Sequence, residues 1–161
     1  MSEKVIGSGT FGSVHRGKYK SSRKVAIKVF YRPLQSIDKN DLQIAMKEFD
    51  LMSKVKHRNV IRLYGFVQVH TKLFLALAME YANKGSLKKY IHNEAFRYYF
   101  SQQLKTLMDV AEGMRFIHIH NILHRDLKPE NVLMFKDEDS DKLLAKISET
   151  KVITFSRYSE Y

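Results

Sequence analysis

The sequence of 161 residues contains no cysteine, which excludes disulfides and thiolate metal sites and favours a reducing compartment. It also lacks a long hydrophobic run. The longest, Leu73 to Met79, is far shorter than the roughly 20 residues that cross a bilayer, and it is typical of a buried strand. No basic segment followed by an apolar stretch opens the chain, so no secretory signal is indicated. We therefore expect a cytoplasmic protein, with the nucleus as the alternative, and no membrane partner.

Acidic residues are in the minority: 28 Lys and Arg stand against 17 Asp and Glu, which gives a formal net charge of +11. A surplus of this kind can serve a nucleic acid or an anionic membrane surface. Because the Lys and Arg residues are spread along the chain and form no long block, we interpret the charge as a solvated surface that attracts ATP and acidic partners. A nucleic-acid partner is not favoured.

Before residue 80, short apolar or alternating segments predict five strands, and apolar residues at helical spacing predict one helix. The strands are predicted over residues 4–8, 13–19, 24–30, about 61–69 and 73–79, and the helix over residues 41–55. After a break at residues 83–86 the rest of the chain is interpreted as helical. Ser86 is expected to cap a short helix that ends at Ile91. A long helix is predicted over residues 96–118, with one apolar side formed by Leu104, Leu107, Ala111, Met114 and Ile117. This division predicts an α+β protein of two lobes.

Three motifs could carry chemistry. Gly7-Ser8-Gly9-Thr10-Phe11-Gly12 can bring backbone amides close to an anion, although alone it is more typical of a simple tight turn. Val25-Ala26-Ile27-Lys28 is an apolar strand that ends in a lysine. His124-Arg125-Asp126-Leu127-Lys128-Pro129-Glu130-Asn131 brings a carboxylate, a cation and an amide together in one irregular loop.

In this order the motifs resemble the glycine-rich loop, the strand lysine and the catalytic loop of the eukaryotic protein kinases, over about residues 4–147. Leu127-Lys128-Pro129-Glu130 resembles the serine/threonine type, and the surrounding segments resemble the tyrosine-kinase-like group. The resemblance implies a protein-kinase-like bilobal fold with a five-stranded N-lobe, one helix and an incomplete helical C-lobe. The N-lobe and hinge would span residues 1–82, the partial C-lobe with the catalytic loop 83–148, and a divergent tail 149–161.

The resemblance also implies roles for individual residues. Asp126 would accept or orient the proton of a substrate hydroxyl, Lys128 would neutralise phosphoryl charge, and Asn131 would ligate Mg²⁺. Lys28 would contact the ATP phosphates and pair with Glu48. The remaining nucleotide-binding residues would be Gly7, Gly9, Gly12, Val14, Ala26, Leu133 and the backbone of Glu80 and Ala82.

One expected motif is missing, because no aspartate stands where the family has Asp-Phe-Gly. In one alignment, which we favour, Lys146-Ile147-Ser148 leads into Glu149-Thr150-Lys151; in the other, Thr154-Phe155-Ser156 takes the three positions. Glu149 is thus the only carboxylate offered to the second metal position, and efficient phosphoryl transfer is not expected. The alternative function is a truncated pseudokinase that binds nucleotide and a protein partner.

The chain also ends without an activation segment or the later helices of the family. We therefore expect part of the long helix to stay exposed and to promote association. The candidates for this surface are Leu107, Met108, Val110 and Met114.

Overall fold

The structure is a computed structural model. It describes residues 4–9, 12–19, 23–33, 50, 53–54, 56–69, 74–93, 98–136, 140 and 142–148. The described residues form two compact units. The first contains those up to Lys54 together with Arg62–Tyr81, and the second contains Lys56–Ile61 together with those from Ala82 to Ser148. Residues 56–61 thus group with the second unit, whereas the sequence predicted an N-lobe that includes all of residues 1–82.

The first unit is a five-stranded antiparallel sheet in the order β1-β2-β3-β5-β4. Its strands are β1 (Val5–Gly9), β2 (Gly12–Tyr19), β3 (Arg23–Pro33), β4 (Leu63–Val69) and β5 (Phe74–Glu80). All five predicted strands are confirmed, and only their ends differ from the prediction. β3 continues three residues beyond the predicted end, to Pro33, which has no N–H to continue a ladder.

Gly12 makes the close pairing of β2 and β3 possible. A Cβ at this position would lie 2.2 Å from the carbonyl oxygen of Val29, so only glycine fits without moving the backbone. The helix predicted over residues 41–55 lies largely outside the described residues; of that range Asp50, Ser53 and Lys54 are described, and all three are helical.

The described residues of the second unit include two α-helices, α1 (Leu87–Ile91) and α2 (Phe100–Ile119). Ser86 caps α1 as predicted, because its Oγ accepts the Lys89 N–H at 3.3 Å. α2 begins later than predicted. Tyr99 has extended backbone, and its N–H donates to the side chain of Gln102 at 3.1 Å. Tyr99 therefore caps the helix, which begins at the next residue, Phe100.

The interpretation of everything after residue 86 as helical was wrong. A two-stranded antiparallel sheet, β6 (Val132–Lys136) and β7 (Leu143–Ile147), follows the catalytic loop. Both of its edges are covered. Residues 83–86 bond one edge, through Lys84 N to Met134 O (3.1 Å) and Met134 N to Gly85 O (2.8 Å). Residues 59–61 bond the other edge, through Ile147 N to Asn59 O (2.9 Å) and Ile61 N to Ile147 O (2.8 Å).

The bonds of residues 59–61 to β7 explain why this segment packs with the second unit. The Asn59 side chain adds a further hydrogen bond to β7, from Nδ2 to Ala145 O at 2.9 Å. The same strand is bonded to α2, because Ala145 N donates to Asp109 Oδ2 at 3.1 Å. Asp109 is buried in α2 and is also paired with Lys105.

Four residues of α2 are buried: Thr106, Asp109, Gly113 and Ile117. The first three are polar or small, and the apolar pattern did not identify them. A Cβ on Gly113 would lie 2.6 Å from Asn59 O, so glycine allows the close contact between α2 and residues 59–61. Of the predicted apolar side only Ile117 is buried, while Leu104 and Leu107 are exposed.

The exposed apolar surface of α2 therefore differs from the expected set. Leu107 and Met108 are exposed as expected, with 65% and 58% of their surface accessible. Val110 is instead partly buried against a core cluster of Tyr90, Val132, Met134 and Ala145, and Met114 is half-buried. Phe100 and Leu104 join the exposed surface. Within the described part of the chain, neither helix has the length and apolarity needed to cross a membrane.

Candidate functional site

The glycines of the first motif belong to two paired strands. Gly7 and Gly9 lie in β1 and Gly12 begins β2, with Gly7 opposite Val14 and Gly9 opposite Gly12. Thr10 and Phe11, which follow Gly9 in the sequence, lie outside the described residues. The glycine-rich segment is thus a β-hairpin, and a Cβ on Gly7 would have room, 3.9 Å from Val14 Cβ.

Strand register brings Val14, Ala26 and Lys28 onto one face of the sheet. Val14 is directly opposite Lys28, and Ala26 precedes Lys28 by two residues. Side chains of directly opposite residues, and of residues two apart, point to the same face. On β5 the same face continues with Leu77, opposite Lys28, and Met79, opposite Ala26.

Lys28 is partly buried on this face, and burial lowers the pKa of its amine. Its Nζ lies 5.3 Å from the ring centroid of Phe30. Glu48, its expected ion-pair partner, lies outside the described residues. The amine is thus held in a low-dielectric position where an anion such as phosphate would favour its charged form.

The expected adenine-binding segment is divided between the units. The N–H of Glu80, at the end of β5, donates to Arg62 O at 2.9 Å, and the Glu80 carboxylate accepts the Arg62 N–H at 3.4 Å. In the second unit the carbonyl of Ala82 accepts the Gly85 N–H at 3.3 Å, and Leu133 forms a bridge with Ser86. Because the N–H of Glu80 is used within its own unit, it does not remain as a donor for adenine.

The catalytic loop brings its three predicted residues together. Asp126 Oδ2 lies 3.1 Å from Lys128 Nζ and accepts a hydrogen bond from Asn131 Nδ2 at 3.0 Å. The same Asn131 nitrogen donates to Asp126 O at 2.7 Å. A short 3-10 turn, Pro129–Asn131, presents Asn131 in this position.

The two bonds of Asn131 also fix the orientation of its amide. Both partners are oxygen acceptors, so the group that faces them must be the NH₂. Oδ1 is then the atom that remains for a cation, and a carbonyl-type oxygen is a ligand that Mg²⁺ accepts. Asn131 therefore fits the metal-ligand role. Glu149, the other expected ligand, lies outside the described residues, and the described residues contain no cluster of three or more His, Asp or Glu that could hold a metal.

His124 and Ser148 support the loop, and the sequence analysis assigned a role to neither. His124 Nδ1 accepts the Asp126 N–H at 3.3 Å, and its Nε2 lies 3.0 Å from Ser148 O. Since a carbonyl only accepts, Nε2 carries the proton. Ser148 in turn donates from N (2.8 Å) and from Oγ (3.1 Å) to Asn131 O. The position of His124 in the motif was a signal for its role, whereas Ser148 has no sequence signal.

Burial lowers the pKa of His124 and outweighs the opposing effects of the Ser148 carbonyl and the Asp126 carboxylate. A neutral His124 can accept from Asp126 N and donate to Ser148 O together, which a protonated ring cannot do. Arg125, between them, has a left-handed backbone (φ 56°), a conformation that costs a non-glycine residue about 1 kcal/mol. The hydrogen bonds around it hold the loop in this turn.

Comparison with known proteins gives one family. The family model for protein tyrosine and serine/threonine kinases matches residues 1–157. A probable serine/threonine-protein kinase of Dictyostelium discoideum, gdt2, is 32% identical over 96% of this chain, which spans 9% of that protein. The serine/threonine-protein kinase STY17 of Arabidopsis thaliana is 33% identical over 84% of the chain, which spans 23% of it.

Two solved structures share the fold. A pseudokinase in its apo form superposes with a TM-score of 0.79 at 22% identity and covers 90% of this chain, which covers 52% of it. The pseudokinase DRIK1, bound to ENMD-2076, gives a TM-score of 0.78 at 22% identity, with 90% and 55% covered. These similarities show a protein-kinase-like fold. The family match over nearly the whole length carries the assignment: this chain belongs to the protein tyrosine and serine/threonine kinase family.

Proposed function

We propose that the chain binds ATP and transfers its γ-phosphate to serine or threonine residues of protein substrates. The observation that carries this proposal is the convergence of Lys128 Nζ and Asn131 Nδ2 on one carboxylate oxygen of Asp126, at 3.1 and 3.0 Å. A carboxylate held in this way is oriented to accept or direct the proton of a hydroxyl. Since the chain spans a small part of its curated relatives, its substrate and partners are part of the proposal.

Within the loop each residue has a separate task. Asp126 orients the substrate hydroxyl, Lys128 neutralises developing phosphoryl charge, and Asn131 offers Oδ1 to Mg²⁺. Mg²⁺, when bound, neutralises triphosphate charge. Glu149 is proposed as the second carboxylate toward the metal.

Nucleotide binding is proposed for the sheet face and its glycine hairpin. Lys28 would contact the phosphates, and its partly buried amine favours an anionic neighbour. The other residues proposed for nucleotide binding are Gly7, Gly9, Gly12, Val14, Ala26, Glu48, Ala82, Leu133 and the backbone of Glu80.

The direct test is incubation with labelled ATP, Mg²⁺ and a generic basic protein. Transfer is expected from the unchanged chain, and Asp126→Asn should reduce its rate about 1000-fold because the general base is lost. Asp50→Asn, which removes an exposed carboxylate paired with Lys54, is the matched control and should leave the rate unchanged. Equal transfer by the Asp126 variant would disprove catalysis by this loop.

A second candidate function, nucleotide binding without efficient transfer, is favoured by a specific observation. β7 ends at Ile147, which supports the alignment in which Glu149 takes the position of the missing aspartate. The extra methylene of glutamate moves the carboxylate by roughly 1 Å, and a misplacement of that size can cost about 100-fold in rate. The exposed apolar surface of α2 would then serve a protein partner.

Two substitutions separate the candidates. If Glu149 occupies the metal position, Glu149→Asp should raise the transfer rate about 100-fold, whereas Thr154→Asp should do so if the other alignment holds. Thermal shifts with ATP, with and without Mg²⁺, complete the test. Binding that needs no metal, with no gain from either substitution, would support the pseudokinase.

A further inference from the structure

The sheet of the first unit carries an unusual charge pattern. No Asp or Glu occurs between Glu3 and Asp38, or between Asp50 and Glu80. Strands β1 to β4, and β5 up to its last residue, therefore contain no carboxylate side chain. Along the sequence the cations of this unit are densest where β2 ends and β3 begins: Arg16, Lys18, Lys20, Arg23 and Lys24 fall within nine residues, and of these Lys20 lies outside the described residues.

At the end of this hairpin two like charges are directly opposed. Lys18 of β2 is the register partner of Lys24 of β3, and both are exposed. Directly opposite like charges destabilise an antiparallel pair. Arg16 lies two residues before Lys18 and hence on the same face, with its guanidinium 5.8 Å from the Tyr81 ring centroid. This face thus carries three cationic side chains at the end of the hairpin.

The opposite face at the same end combines aromatic rings with guanidinium groups. Tyr19 and Tyr64 are parallel, with ring centroids 6.3 Å apart and an interplanar angle of 2°. The guanidinium carbons of Arg23 and Arg62 lie 5.8 and 5.7 Å from the centre of the Tyr64 ring. Tyr19 is 43% exposed. Six residues, Lys18, Tyr19, Arg23, Lys24, Arg62 and Tyr64, thus form what we term the basic hairpin end.

We propose that the basic hairpin end binds single-stranded nucleic acid. Its cations match a phosphate backbone, and its exposed tyrosine offers a stacking surface for an unpaired base. An acidic peptide or an anionic headgroup would use the cations but not the aromatic rings. A duplex would offer phosphates, while its bases are already stacked on one another. An unpaired strand that passes around the end of the hairpin can use both faces, with its phosphates at Lys18 and Lys24 and a base on Tyr19.

This inference differs from the expectation drawn from composition. Along the sequence the cations are dispersed, which did not favour nucleic acid. Antiparallel pairing and the stacking of Tyr19 on Tyr64 bring residues 18–19, 23–24 and 62–64 to one end of the sheet. The proposal is independent of phosphoryl transfer, because it uses none of the residues assigned to nucleotide or catalysis.

The test is fluorescence anisotropy of the full chain with labelled oligouridylate and with its DNA counterpart, over a series of salt concentrations. Lys18→Gln with Lys24→Gln should weaken binding at least about 10-fold at low salt and reduce the salt slope by about 1.4, because two phosphate contacts are lost. The unfolding temperature of this variant should stay the same or rise, since the opposed charges are removed. Lys56→Gln with Arg58→Gln changes the net charge equally in the second unit and should leave binding nearly unchanged.

Tyrosine variants separate stacking from charge. Tyr19→Ala should weaken binding about 10-fold without changing the salt slope, and Tyr19→Phe should retain it. Excess ATP should not displace the strand. The proposal is overturned if the control pair weakens binding as much as the lysine pair or if Tyr19→Ala has no effect. It is equally overturned if polyglutamate, anionic vesicles or duplex of the same length bind as well as the single strand.

Discussion

In the first unit, Val14, Ala26 and Lys28 have their positions because β2 and β3 pair in one register. In the second unit, Asp126 and Asn131 lie outside any strand, and individual side-chain hydrogen bonds hold them. A residue in a ladder is supported by many equivalent backbone bonds, so few neighbours are individually essential. A residue in an irregular loop depends on particular polar partners. Substitutions in the loop should therefore be more costly than substitutions on the sheet face.

The largest loss of stability is expected from Asn131→Ala. It removes two hydrogen bonds to Asp126, one of them charge-assisted, at a site that is 6% exposed. We expect the free energy of unfolding to fall by about 3 kcal/mol. Denaturant titration measures it. Val14→Ala, on the half-buried sheet face, is the control and should cost about 1 kcal/mol.

Asn131→Asp sharpens the same prediction. The aspartate keeps an oxygen for a cation but cannot donate, and it adds a negative charge beside Asp126. Its loss of stability should match or exceed that of alanine. If either variant lowers the free energy of unfolding by no more than Val14→Ala does, the predicted difference between the loop and the sheet face is wrong.

Gly113→Ala should give the next largest effect. The added Cβ would lie 2.6 Å from Asn59 O, which is backbone and itself bonded to Ile147. Overpacking of this kind costs about 2 kcal/mol, more than the helix propensity gained. At Gly65 in the first unit, no atom of the described residues lies within 4 Å of the new Cβ, and Gly65→Ala should change stability by less than about 0.5 kcal/mol. Equal costs at the two glycines would contradict the close contact.

Ser86→Ala tests the start of α1. Losing the bond to Lys89 N should lower the free energy of unfolding by about 1 kcal/mol. Ser101→Ala, at an exposed position in the first turns of α2, should be neutral or slightly stabilising, because alanine has the higher helix propensity. Circular dichroism during thermal unfolding compares the two.

The smallest effect should come from pH. A histidine whose folded pKa is lowered binds fewer protons when folded, so stability is present above the unfolded pKa of about 6.5 and is lost as pH falls through the folded pKa. We expect wild type to lose more stability than His124→Gln between about pH 7 and 5. Burial also lowers the pKa of His57, so only the difference between the two proteins reports on His124. His92→Gln, at an exposed position, should behave as wild type.

The sequence was sufficient for the five-stranded sheet and for finding the loop in which Asp126, Lys128 and Asn131 lie together. Strands β1 to β5 alternate apolar and polar residues or form short apolar runs, and the loop has a specific motif. β6 and β7 were missed because runs of five residues, such as 132–136, do not separate strand from helix by periodicity.

The buried side of α2 was misassigned for a different reason. Hydrophobic spacing favoured Leu104 and Leu107, whereas the helix packs through Asp109 and Gly113, which meet backbone groups of β7 and residue 59. A carboxylate that accepts a hydrogen bond from a strand N–H, and a glycine that leaves room for a backbone carbonyl, produce no hydrophobic periodicity in the sequence. Ser148 and Asn59 likewise act through side-chain hydrogen bonds to backbone groups that are distant in the sequence. The sequence alone therefore does not indicate their roles.

The covering of β6 and β7 on both edges has a consequence for aggregation. A two-stranded ribbon normally presents two rows of unsatisfied peptide groups, to which a strand of another molecule can add. Here residues 83–86 and 59–61 occupy those rows, and Asn83 completes the first by exchanging two side-chain bonds, of 2.7 and 2.9 Å, with the backbone of Lys136. The ribbon next to the catalytic loop is thereby closed to strand addition by neighbouring chains.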